Sequence, residues 1–393
     1  MNFGSRPDLR TRKGLAVVAL AAIVVAVVAS TVIVVLRPSS SHTASTAGET
    51  RPHRAGRAPV VARLTQARTG RVLGLRDGAP AAIAVSSNHL AWENEPSRAH
   101  PNSALMEGDR ATGKIRQLAP AALPQFGLAS TRKYVVYAVR RGSVSELRAV
   151  RHDGSNRIVL SRSLAAPVAA RGEVVGWADQ PQGGAHERVV VRNMATGREW
   201  IAARLPRCRR GKCYRIDAVT LADDGVVFDR GAIGTQPSLI IRRRFGEAQP
   251  TMATVRNDPQ PDLAPSSAGA FYYELERGWA RWDFAAPRPS RTRVDPRRWS
   301  VVGYEHGRLL LRTVSPCRTR LIVRLPGKRA QTVPAPDSAP GSPKDLGPLC
   351  HLLTGFAWHG RRLIVAWAVV PKITLDAHTD VGVGGVVVET QVS

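Results

Sequence analysis

Lysine is nearly missing from this sequence of 393 residues: it stands only at positions 13, 114, 133, 212, 328, 344 and 372, so the 57 basic residues are almost all arginine. Acid is scarce too, with 30 Asp and Glu and a net charge of +27. Such a skew, beside abundant Ala, Gly and Pro, is what codon bias in a GC-rich genome produces. The functional alternative is an anionic partner. The cations are spread over every segment, with no basic helix and no aromatic signature of RNA binding, which argues against nucleic acid. Helical periodicity is also lacking. Beyond residue 36 no stretch keeps a 3.6-residue apolar repeat for three turns, and Gly, Pro and β-branched residues recur throughout, which excludes a helical solenoid.

Catalytic signatures are the third absence. There is no G-x-S-x-G elbow, P-loop, H-E-x-x-H, EF-hand spacing or Asp-box turn. Ser130-Thr131-Arg132-Lys133 matches S-x-x-K, but it reads as a turn before a strand, where the lysine cannot face the serine as it would one helical turn on. Asp376, His378 and Asp380 could ligate a cation, and Asp223-Asp224 with Glu274 and Glu276 could serve as a glycosidase's carboxylates. Both groups read more simply as solvated strand edges. No cofactor and no metal are expected, and a propeller-type, glycan-active hydrolase with acids in a central channel is the second reading of function.

One long apolar run is present. Residues 15–36, LAVVALAAIVVAVVASTVIVVL, are broken only by Ser30 and Thr31, and as a helix they would span roughly 33 Å, the thickness of a bilayer core. Arg6, Arg10, Arg12 and Lys13 precede it against the single Asp8, so residues 1–14 are expected in the cytoplasm and the rest outside. A cleaved signal peptide, with Val27-Val28-Ala29 before the cut, is the rival. The continuation of the run to Leu36 and the lack of a following lipid-accepting Cys favour a single-pass anchor. Residues 37–58 hold no large apolar side chain and read as a flexible linker.

From residue 59 the chain repeats. A polar turn followed by an apolar strand with a central aromatic recurs at 86–94 (SSNHLAWEN), 131–139, 171–179, 223–230, 267–275, 305–313 and 358–369. A second turn follows each of the first six, as in ATGKIRQL (111–118) and MATGREWIA (194–202), and joins two further strands. Two hairpins per unit, with centres 38 to 54 residues apart, are the period of a propeller blade, because a lone hairpin cannot bury its apolar face and sheets packed around a ring can. The fold expected for 59–393 is therefore an all-β propeller of seven four-stranded blades, with the seven segments as inner strands; an irregular β-sandwich is the alternative. Residues 60–75 resemble the second half of a blade and are expected to complete the last one. GGVVVETQV (384–392) either joins that blade or, with the N-terminal hairpin, makes an eighth.

The unit resembles the TolB-like and WD-repeat-like propeller repeats of bacterial envelope proteins, with Asp109–Gly113 (DRATG) nearest to their D-x-x-[TD]-G turn. The resemblance implies a propeller and, as its commonest use, an interaction module.

Four cysteines fall into two neighbourhoods, Cys208 with Cys213 and Cys317 with Cys350. In an exported domain an even count reads as disulfides, and local pairing is favoured over the two other connectivities. The spacing lacks the paired knuckles of a zinc site. One cluster reads as a binding surface: Trp279, Arg281, Trp282, Arg297, Arg298 and Trp299, since exposed Trp and Arg most often carry interface energy. The function expected is a scaffold in a bacterial envelope, anchored by residues 15–36, that binds a protein or an anionic component.

Overall fold

The structure, a computed structural model, describes residues 64–67, 70–75, 80–86, 88–94, 103–180, 186–206, 213–233, 238–248, 250–255, 263–264, 270–275, 278–283, 286, 288–305, 307–313, 319–336, 349–371 and 384–392. The apolar run 15–36, the linker 37–58, Cys208, Cys317 and the Asp376–His378–Asp380 group lie outside them. Among the described residues no helix is long and apolar enough to cross a membrane.

The described strands form seven antiparallel sheets. Six are each built from one continuous stretch of chain, starting at Pro80, Ala129, Ala169, Cys213, Leu263 and Trp299. In the fourth, Val219–Ala222 is the first strand of the ladder, and the short Cys213–Arg215 pairs with the far end of the second, Gly225–Ile233. The seventh takes three strands from one end of the chain (Leu349–His359, Arg362–Pro371, Gly384–Gln391) and two from the other (Leu64–Ala67, Gly70–Leu75). Val387 faces Leu73 on one side and Ala366 on the other, so the two ends are zipped through one ladder. The N-terminal hairpin and 384–391 thus share this closing sheet and form no separate eighth one. Closure by both ends is what the half-blade at 60–75 led one to expect.

Apolar side chains pack the sheets into a cycle. Ala91 and Leu105 of the first sheet meet Val135 and Tyr137 of the second, Val136 and Leu147 of the second meet Trp177 and Val190 of the third, and Val189 meets Phe228 of the fourth. The fourth and fifth touch through strands Val219–Ala222 and Leu263–Ala264. Trp279 of the fifth packs on Leu311 of the sixth, Leu310 on Trp367 of the closing sheet, and Ile364 on Ile83 and Trp92 of the first. Radial sheets in cyclic contact define a β-propeller.

The aromatic-centred segments do not sit where the repeat suggested. They are the second strand of each sheet: His89–Asn94, Tyr134–Arg141, Val174–Asp179, Gly225–Ile233, Ala270–Leu275, Arg308–Thr313 and Arg362–Pro371. A second strand has a neighbouring sheet on each face, so six successive residues of Tyr134–Arg141, from Tyr134 to Val139, are buried and the strand reads as a continuous apolar run. Several innermost strands are only two or three residues long, such as Ala129–Ser130, Ala169–Arg171 and Leu263–Ala264, which is why these left little trace in the pattern.

The second turns of the first and third units behave as their sequences demand. Asp109 Oδ1 accepts hydrogen bonds from the amides of Ala111 (2.8 Å) and Thr112 (2.9 Å), and Gly113 takes φ = 72° to close the turn onto the Asp109 carbonyl. Asn193 does the same for Ala195 (2.9 Å) and Thr196 (3.0 Å), with Gly197 at φ = 76°.

Candidate functional site

The innermost strands surround a cavity of 710 Å³. Every sheet contributes to its wall, through Val85, Ser130, Ala170, Thr220, Leu263, Glu305 and Phe356 respectively. Small and apolar side chains dominate this wall, and the charged groups gather at one mouth, where the innermost strands end. There Arg171, closing the third sheet's first strand, reaches Glu305, at the end of the sixth sheet's first strand, with its NH1 and NH2 nitrogens at 2.9 and 3.0 Å from the two carboxylate oxygens. Its Nε donates to Asp223, which follows the fourth sheet's first strand. One guanidinium therefore spans the mouth. Burial opposes the Arg171 charge, but the hydrogen bonds it donates to Asp223 and Glu305 outweigh it and raise its pKa further.

This bridge bears on the acids that sequence put forward for hydrolysis. Of these, Asp223 belongs to the channel wall, where Arg171 bonds it together with Glu305, an acid the sequence did not single out, and Glu276 lies outside the described residues. Asp224 pairs instead with Arg242 and Arg244. Glu274 lies on the second strand of the fifth sheet. Ser130 and Lys133 do flank the turn between two strands, as expected, so no helix brings the lysine over the serine.

Two more acids are buried behind the aromatic positions. Glu93 follows Trp92 and is fully enclosed; neither of its oxygens has a hydrogen-bond partner, and burial pushes its pKa up to about 8. Asp229 follows Phe228, and burial raises it to about 7 although its Oδ1 accepts from the amides of Asp217 (3.0 Å) and Ala218 (2.7 Å). Asp229 fixes the entry of the fourth sheet's first strand. Glu93 has no such structural use.

The basic tryptophan cluster is divided by the structure. Trp279 and Trp282 are buried on the strand Gly278–Asp283, the first in the cluster against Leu311 and the second with its indole N–H on the Ala286 carbonyl (3.3 Å). They are core residues, correcting their assignment to a surface: inward positions of a third strand are covered by the next sheet. Trp299 and Arg281 are half-buried, and Arg281 stands over the Tyr304 ring. Arg297 and Arg298 are exposed on a turn that Asp295 organises through its carbonyl and its Oδ1 (3.0 Å to the Arg297 amide).

Cys350 is buried and disulfide-bonded. Cys208 and Cys317 lie outside the described residues, and neither expected pairing is tested.

A group that the sequence did not single out could hold a metal: His89, Glu107 and His152, with ligating atoms all within 4.8 Å of one another. His89 opens the second strand of the first sheet, Glu107 lies on its third strand, and His152 follows the third strand of the second sheet. No motif spacing links them, since strand register and sheet packing alone bring them together. Burial lowers the His89 pKa, with His152 and Arg116 acting in the same direction and Glu107 and Asp109 against it.

No family model and no curated protein sequence matches the chain. Among solved structures it is similar to a prolyl endopeptidase (12% identity over 76% of this chain and 48% of that one, TM-score 0.54). It is also similar to the β-propeller domain of the Trilobed protease from Pyrococcus furiosus (10% identity, 76% and 93%, TM-score 0.51). An oligogalacturonate lyase from Vibrio parahaemolyticus follows at 9% identity, 84% and 96% coverage and a TM-score of 0.48. The chain thus spans about half the length of the prolyl endopeptidase. At such identities the likeness shows the propeller fold alone. The Pyrococcus domain is described as having an open velcro topology, whereas here the closing sheet is zipped from both ends.

Proposed function

We propose that the chain is a binding module, a seven-bladed propeller whose ligand site is the central channel, carried in a bacterial envelope by an anchor at 15–36 and a linker at 37–58. Seven innermost strands lining one cavity support the blade count. The observation that carries the binding reading is the chemistry of that cavity: 710 Å³ walled by small and apolar side chains, with the two mouth carboxylates engaged by one arginine. Pockets of this size and polarity suit an organic ligand or an inserted side chain. Arg297 and Arg298 offer a separate contact for an anionic partner.

The test compares captures from envelope extract by the full-length chain, by a channel-filling Ser130→Trp variant and by the Arg297→Ala, Arg298→Ala double variant. Loss of a partner or ligand with Ser130→Trp is expected. An unchanged set with both variants sinks the binding reading. The hydrolase alternative requires Asp223 and Glu305 to act as acid and base, so turnover of a glycan panel that disappears with Asp223→Asn or Glu305→Gln would replace binding by catalysis.

A further inference from the structure

We propose that His89, Glu107 and His152 form a binding site for one divalent transition-metal ion, zinc being the best-fitting occupant. The pattern of donors and acceptors carries the argument. The Thr131 carbonyl, 2.9 Å from His152 Nε2, can only accept, so that nitrogen carries a hydrogen, and in the neutral ring the lone pair sits on Nδ1. His152 Nδ1 is in close contact with Glu107 Oε1. His89 Nδ1 stands 3.8 Å from that same oxygen and has no hydrogen-bond partner, although the atom is buried. Two imidazole nitrogens and a carboxylate oxygen are thus gathered within 4.8 Å of one another, a donor set that suits a cation.

The surroundings are those a metal requires. Ligating histidines characteristically give their other N–H to a carbonyl, as His152 does, and ligating carboxylates are themselves hydrogen-bonded. Arg116 holds Glu107 Oε2 through Nε (3.0 Å) and an NH2 nitrogen (2.7 Å), which leaves Oε1 for the ion. Ser86 Oγ lies 3.1 Å from His152 Nε2 and steadies the ring. Tetrahedral zinc with bonds near 2.1 Å needs ligand atoms about 3.4 Å apart. From the present arrangement, with ligating atoms within 4.8 Å of one another, His152 has to withdraw from Glu107 and His89 to approach, each by about 1 Å, to reach that geometry. The His89 ring can slide to do so, being stacked on His152 at 4.4 Å and 11°. Glu107 and His152 are buried, but the His89 side chain is a quarter exposed, so an ion can enter past it and water can take the fourth position. Two imidazoles and one carboxylate select zinc and its neighbours over calcium or magnesium, which take oxygen ligands. Because the ligands come from the first and second sheets, the ion would staple these sheets together.

The test uses the full-length chain, stripped with EDTA and kept without reductant, titrated with Co²⁺ and then Zn²⁺. The expected result is one equivalent of Co²⁺ with visible absorption of a four-coordinate site, displaced by Zn²⁺, and affinity at least tenfold weaker in His89→Ala. His89 is the partly exposed ligand, so this variant is the one that keeps the buried pair intact. Should it fail to fold, ¹⁵N shifts of the two imidazoles on adding Zn²⁺ to the wild type decide instead. No binding, undisturbed imidazole signals, or equal affinity in a folded His89→Ala would each overturn the site, the first leaving a shared proton between His152 and Glu107.

Discussion

Replacing Glu93 by Gln tests the interior of the ring directly. The side chain is fully enclosed and unpartnered, on the same face of its strand as Ala91, which packs between the first and second sheets. Its pKa rises from 4.5 to about 8 because burial penalises the charged form. The folded chain therefore binds this proton more tightly than the unfolded chain. Stability is unaffected by the group below pH 4.5, falls as pH rises from there to about 8, and is flat beyond. At roughly 1.4 kcal/mol per pH unit, the accumulated loss by pH 8 is on the order of 4 kcal/mol, an upper figure because a strained site can relax or admit water. Gln keeps the shape without the ionisation. Its own buried amide shifts the whole curve by a constant, so the slope is the informative quantity. Urea unfolding at pH 4.5 to 9 should show the difference between variant and wild type moving by several kcal/mol in favour of Gln as pH rises. Other titrating groups are common to both chains and cancel. Parallel curves between pH 5 and 8 would refute the reasoning, because they would mean that Glu93 reaches solvent or a partner.

Gly225 faces Arg244 in the ladder, and a Cβ there would lie 2.5 Å from the Arg243 carbonyl; Gly225→Ala should cost about 1–3 kcal/mol, read as a lowered Tm. The first sheet meets the closing sheet where Arg110 donates to Glu389 (2.6 Å) and to His359 Nδ1 (3.3 Å), and within the closing sheet Arg362 donates to the same Glu389 oxygen (3.0 Å). Burial pushes the Glu389 carboxyl up, but the hydrogen bonds from Arg110 and Arg362 hold it below its ordinary value. Its contribution is therefore present above pH 4.5 and lost as pH falls through the lowered value. Glu389→Gln should speed amide exchange in 70–75 and 384–391 at neutral pH and leave it unchanged in acid. Arg297→Ala with Arg298→Ala should leave stability within about 0.5 kcal/mol and weaken retention on anionic vesicles in a salt-dependent way. Unaltered retention would remove that turn as an anionic contact.

The repeat was legible because it follows from local chemistry. Asp109 and Asn193 close the same turn with the same Gly four residues on, and turn residues act through their own backbone neighbours, so such signals survive without tertiary context. The half-blade at 60–75 announced closure for the same reason. The role of each strand was not legible. A segment such as YVVYAV reports that it is buried on both faces, and a channel wall and a sheet interior are equally consistent with that. Only packing placed it second, with short strands such as Ala129–Ser130 in front. Trp279 and Trp282 alternate with arginines in a pattern that fits a surface as well as a core, and the sixth sheet's cover on Trp279 decided it. His89, Glu107 and His152 are separated by 17 and 44 intervening residues. Arg171 and Glu305 lie 134 positions apart. Sequence by itself determined the longer apolar strands, their turns and the meeting of the chain ends. The tertiary structure alone decided which side chains converge, because a ring brings distant strand ends to one mouth and no local interaction encodes that distance.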